Sequence, residues 1–213
     1  MKKYFVILVV VVATTTGILA QYQVAISPVK MNILYIGVDN PVTIAISGVS
    51  DAEKVSATIS QGTLIKVAGG EYIAKPATTD VAKISVFAEI DGQKKAMGDM
   101  EFRVKLLPVP EARIFGKSGG SIEKDVLLAQ PGISAYMGDF LFDLRYTVTQ
   151  FTIVVSTPQD GEKSLASNTA AFTAEQKNLF ASLYKGTKVS FTNIKARGPD
   201  GVKDLRDLVF TVN

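Results

Sequence analysis

Alternation constrains this chain more than any other feature. Between Lys83 and Asp91, Ile84, Val86, Ala88 and Ile90 alternate with Ser85, Phe87, Glu89 and Asp91. Successive side chains of a strand point to opposite faces, so a period of two predicts a half-buried β-strand and argues against a helix. From Tyr22 onward the reading stays strand-rich. Lys30–Val38, Val42–Ile46, Val55–Ile59, Gly62–Val67, Glu71–Lys75 and Lys95–Leu107 are apolar or alternating runs. Asn40-Pro41, Gly48–Glu53, Gly69-Gly70 and Asp91-Gly92 punctuate them, and the Gly-Gly and Asp-Gly pairs predict tight hairpins. Roughly seven short strands with a turn about every ten residues describe a small β-sandwich. We assign it to residues 21–107.

Pro108-Val-Pro110 interrupts the pattern, because two prolines so close stiffen the chain and cannot donate to a ladder. Residues 108–112 read as a linker, and the competing reading is an edge-strand end within one larger sandwich. Residues 113–213 then form a second β domain. Arg113-Ile-Phe115 opens it, the Gly-rich turn Gly116–Gly120 follows, and Pro131-Gly132 marks another turn. Phe140–Val155 is the longest strand signal. Its apolar phase flips at Gln150, which predicts a bulge or bend there. One helix is expected at about 173–185. Thr173 and Gln176 form a capping box, Leu179, Phe180 and Leu183 give an apolar stripe, and Gly186 ends it. Strands at Lys188–Ala196 and Leu205–Val212 flank the turn Gly198-Pro199-Asp200-Gly201. The expected fold is mostly β: two tandem β-sandwich domains, the second carrying one α-helix.

Composition narrows the chemistry. The 213 residues include no Cys, His or Trp. Disulfides, zinc–thiolate sites, thiol catalysis and Ser–His–Asp triads are therefore excluded. Lys2-Lys3 followed by the uncharged apolar run Tyr4–Ala13 reads as a signal peptide over residues 1–20, cut after Ala20. The competing reading is an uncleaved anchor in the inner membrane, for which the run is short against ~30 Å of hydrocarbon. Removing it leaves 21 basic against 20 acidic residues, a net charge of +1 that gives nucleic acid no purchase. The expected product is exported and periplasmic, with no membrane span after cleavage.

Catalytic, cofactor and metal residues are all assigned as none. Asp91-Gly92, Asp160-Gly161 and Asp200-Gly201 are isolated turn pairs rather than a calcium loop. Glu89 with Asp91, or Asp139 with Asp143, could serve a His-free glycosidase, but each pair reads as solvated. Ser121-x-x-Lys124 lacks the helix start of a Ser–Lys hydrolase. Tyr22, Tyr35, Tyr72, Tyr136 and Tyr184 are candidate anchors for a protein partner.

The stretch Ser27–Pro41, with Asn32, Tyr35, Gly37, Asn40 and Pro41 as its key positions, is distinctive. Met97–Lys105, Pro108, Pro110, Gly116–Gly120, Phe140–Tyr146 and Ile194–Gly201, ending on Gly198, Pro199, Asp200 and Gly201, follow in order. This ordered set resembles the C-terminal periplasmic domains of the gliding-motility protein family GldM, also called PorM. The resemblance implies immunoglobulin-like β domains in a Bacteroidetes-type envelope, and a place in the type IX secretion or gliding apparatus. It implies protein partners: an outer-membrane-associated ring lipoprotein and its companion, a full-length GldM-like protein, or a second copy as a homodimer. The family's membrane helix and first periplasmic domains find no counterpart here, so an accessory or paralogue without the motor part is expected. The motif residues read as structural, Gly37 and Gly201 serving turns and Asn40-Pro41 ending a strand. The alternative is a carbohydrate-binding or adhesin-like sandwich, which the missing Trp disfavours.

Overall fold

A computed structural model describes residues 23–28, 32–157 and 161–213. The predicted signal peptide, the cut after Ala20, Tyr22 and the start of the Lys30–Val38 run lie outside those residues.

Eight strands build the first half: β1 (Val24–Pro28), β2 (Ile33–Tyr35), β3 (Asn40–Ile46), β4 (Val55–Ile59), β5 (Thr63–Ala68), β6 (Glu71–Lys75), β7 (Ala82–Ile90) and β8 (Gln93–Lys105). They form two four-stranded sheets, β1-β3-β6-β5 and β2-β8-β7-β4. The β2–β8 pair is parallel, with Tyr35 opposite Lys105, and the other pairs are antiparallel. Alternation does what the sequence predicts in β7: Ile84, Val86 and Ala88 are buried between the sheets with Leu34, Ile44 and Phe102. Asp91 and Gly92 both take positive φ, 55° and 74°, the geometry of a hairpin turn whose twist matches its strands.

The second half holds β9 (Glu111–Arg113), β10 (Gly120–Ile122), α1 (Lys124–Ala129), β11 (Ser134–Tyr136), β12 (Thr147–Thr157), β13 (Gly161–Ser167), α2 (Ala174–Ala181), β14 (Lys188–Gly198), β15 (Gly201–Asp204) and β16 (Leu208–Val212). Its main sheet runs β10-β16-β14-β12-β13, with β15 added along β14 beyond β16. A two-stranded sheet, β9–β11, stands apart. Phe151, Phe172, Phe180, Phe191 and Phe210 form a continuous aromatic core, with ring centroids 5.1–6.3 Å apart.

Several local expectations change. Phe140–Tyr146 is not strand, and β12 begins at Thr147. The aromatic side chains of that segment are engaged elsewhere, as described below. The bend near Gln150 is present as register shifts on either side of it. The helix expected at 173–185 keeps its capping box, with Thr173 Oγ1 accepting from Gln176 N–H at 3.2 Å, but ends at Ala181. Buried Leu183 follows the helix, its N–H donating to the Phe180 carbonyl at 3.2 Å, and Gly186 takes φ +88° beyond it. A second, six-residue helix, α1, joins it. In the stretch read as a linker at 108–112, Pro108, Val109 and Glu111 are exposed while Pro110 and Ala112 are buried. Leu107 and Pro110 are buried, and β9 starts at Glu111 with Ala112 in the second core. Asn40-Pro41 opens β3 instead of ending a strand.

Candidate functional site at the domain junction

The motif residues of the two halves meet. Asn40 organises the first side. It is 2 % exposed, accepts Tyr35 N–H at 2.7 Å, and donates to the carbonyls of Tyr35 (2.8 Å), Val38 (3.0 Å) and Ala74 (3.0 Å). A buried amide with four partners fixes the turn from β2 into β3 and ties it to β6. Gly37 sits at the tip of that turn with φ +86°. A Cβ there would lie 2.7 Å from Asp200 Cβ, so the backbone approaches the second half closely enough to demand glycine. Lys75 and Asp39 close the outer side of the turn with an ion pair at 2.9 Å.

The second side is the β14–β15 hairpin. Gly198 pairs with Gly201 across the turn, and Gly201 takes φ +106°. The Tyr146 hydroxyl donates to Asp200 Oδ1, and Lys203 Nζ pairs with Asp200 Oδ2 at 2.8 Å. A Cβ at Gly198 would overlap the Tyr146 ring, so the ring lies flat against the hairpin. Burial raises the Tyr146 pKa far above the usual phenol value, and donation to the Asp200 carboxylate adds to the rise.

Aromatic packing joins the two sides. Tyr35 meets Phe140 edge-on at 5.0 Å and Phe142 at 5.6 Å, and those two rings stack at 5.7 Å. Edge-to-face pairs of this kind contribute about 0.5–1.5 kcal/mol each beyond the area they bury. The alternation read as a strand at Phe140–Tyr146 therefore serves a docking surface. Of the motif positions, Tyr35, Gly37, Asn40, Gly198, Asp200 and Gly201 belong to this junction. Asn32, Pro41 and Pro199 are exposed, and the Asn32 carbonyl accepts Arg103 N–H at 3.2 Å. By sequence Phe142 and Tyr146 read as strand positions, and Lys203 goes unmarked. Phe142 acts across the halves on Tyr35, while Tyr146 and Lys203 act on Asp200 within the second half.

The tyrosine anchors divide. Tyr72 is 3 % exposed and donates to the Val55 carbonyl at 3.2 Å, which makes it core; burial raises its pKa. Tyr35 is spent on the junction. Tyr136 is half-exposed beneath the Arg113 guanidinium, 3.8 Å from the ring centre, and Tyr184 is 67 % exposed. Arg113 also holds Glu111 at 2.7 Å, and that hydrogen bond lowers the Glu111 pKa. Glu89 and Asp91 border an open depression of about 230 Å³ with Asp51 and Lys54. Asp51, Glu89 and Asp91 are all exposed to water. Among the described residues no group of three His, Cys, Asp or Glu could hold a metal ion. Nor is any helix among them long and apolar enough to cross a membrane.

Fold and junction define a tandem β-domain protein whose two cores are joined through packed contacts. The family model for the GldM third domain matches residues 23–105, and the model for the GldM C-terminal domain matches residues 108–213. The chain belongs to the GldM family in these two domains. No curated protein matches the sequence. Solved structures that match over most of this chain include the Yersinia pseudotuberculosis adhesin InvE, at 15 % identity over 91 % of this chain and 59 % of that one, with TM-score 0.29. A protocadherin gammaB7 EC3-6 structure shares 12 % identity over 90 % of this chain and 51 % of that one, with TM-score 0.29. The chain thus spans little more than half the length of either.

Proposed function

We infer that this protein is an exported, non-enzymatic interaction component of the gliding or type IX secretion apparatus, acting in the periplasm. The observation that carries the reading is the match of both halves, in order, to consecutive GldM domains. GldM domains are structural parts of that machinery, and the junction suits such a part. It holds two domains at a set angle through Tyr35, Phe140, Phe142 and the Gly37–Asp200 approach. The leader read at residues 1–20 supports export. The second domain is the partner-facing end in this reading, and the chain serves as an accessory to the full-length relative. Its partners are the ring lipoprotein and its companion, or that relative itself, with a homodimer as the self-associated form.

The test is capture in the native host. The chain carries a C-terminal affinity tag, the cells are lightly crosslinked, and the co-purifying proteins are identified. Recovery of ring lipoproteins or of the full-length relative is expected. Retention of glycans alone overturns the reading in favour of a carbohydrate-binding module.

A further inference from the structure

The main sheet of the second half ends on β13. At seven residues it is the longest edge strand among those described, and it follows β12 from Gly161 to Ser167 without a register shift. The other edges are shorter or interrupted: β10 and β2 have three residues each, β1 and β4 five each, and the six-residue β5 carries a register shift between Lys66 and Ala68. A long, regular, proline-free edge presents a row of backbone donors and acceptors to an incoming strand.

Beside that edge lies a groove of about 300 Å³ between β13 and α2, lined by Lys163, Ser164, Leu165, Glu175 and Leu179. Leu165 stands opposite buried Ile153, so it faces the core side of the sheet, where α2 packs. Glu175 and Leu179 are four residues apart and share one face of α2. A strand added to β13 would send every second side chain under α2, against Leu165 and Leu179. We propose that this groove binds an extended peptide segment of a partner protein as an added β-strand, with an apolar residue seated on Leu165 and Leu179. The hydrogen-bonding row of β13 selects an extended backbone over a helix or a glycan, and the apolar floor selects the side chain. The proposal rests on the second domain being the partner-facing end.

The probe is a random twelve-residue peptide library displayed on phage and panned on the whole mature chain. Selected peptides are synthesised, and binding is measured by fluorescence anisotropy. Proline is introduced at Ser164 and, separately, at Leu165. Neighbouring strand residues turn their N–H groups to opposite sides, so one of the two blocks the outer edge while sparing the ladder to β12. An unchanged melting temperature identifies that variant. Leu179→Gln tests the floor independently of the backbone. The expected result is peptides with apolar residues at alternate positions, slowed amide exchange in β13 on binding, and about tenfold or greater loss of affinity in the edge-blocked and Leu179→Gln variants. Peptides that bind equally well to these variants overturn the proposal. So does concentration-dependent dimerisation through β13 without peptide binding. In the host, partner capture that survives the edge block overturns the groove and leaves the interaction role standing. A chain that captures nothing in the host yet binds library peptides at β13 keeps the groove and overturns the secretion-machine role.

Discussion

Asn40 has four hydrogen bonds at a position almost closed to water, and its replacement leaves three carbonyls and one N–H short of a partner. Asn40→Ala is expected to lower stability by about 2–3 kcal/mol, read from urea unfolding, because an unmet buried polar group costs more than an average hydrogen bond contributes. Gly37→Ala forces a side chain into a left-handed backbone and against Asp200, and a loss of about 1–3 kcal/mol is expected by the same measurement. Tyr146 gives a pH signature. Its pKa is raised on folding, so its contribution is complete below the unfolded phenol value of about 10 and disappears as pH rises beyond it. Wild type should lose stability above pH ~10 more steeply than Tyr146→Phe, while the buried Tyr72 gives both proteins the same alkaline background. Parallel curves for the two would contradict the Tyr146–Asp200 hydrogen bond. The sequence pointed to Gly37, Asn40 and Asp200 as turn residues, and their turn chemistry is local. It presents Tyr146 and Phe142 as strand positions, since each works through a partner far along the chain. Asn40 was read as a strand terminator, because proline after it masks the fact that its side chain bonds back over the preceding turn.

At the scale of elements, legibility followed the length of the pattern. β7 alternates over nine residues and was readable outright; α2 was readable through its capping box. Thr173→Ala should cost about 1 kcal/mol in thermal or urea unfolding, by removing the oxygen that accepts Gln176 N–H. The six residues of α1 are less than two turns, too few for a 3.6-residue period to appear, and its N-cap Glu123 makes no side-chain capping hydrogen bond. Phe140–Tyr146 misled for the opposite reason. Its alternation is real, but Phe140 and Phe142 answer to Tyr35 of the other half instead of to a sheet.

For the whole molecule, the prolines at 108 and 110 lie where the chain passes from one core to the next, with Pro108 and Val109 exposed between buried residues. Leu107 and Pro110 are buried, and Ala112 already belongs to the second core. A component that presents a binding face at a set angle needs such a junction; a loose tether would let the second half reorient. The chain has no cysteine, so two spin labels can be attached at introduced cysteines without background. Glu71 on the first half and Ser164 on the second are exposed. Electron–electron double resonance on the Glu71→Cys/Ser164→Cys protein tests the rigid junction most directly. The account predicts one narrow distance distribution that broadens when Tyr35→Ala removes the aromatic contact. A broad distribution in the parent protein would contradict it.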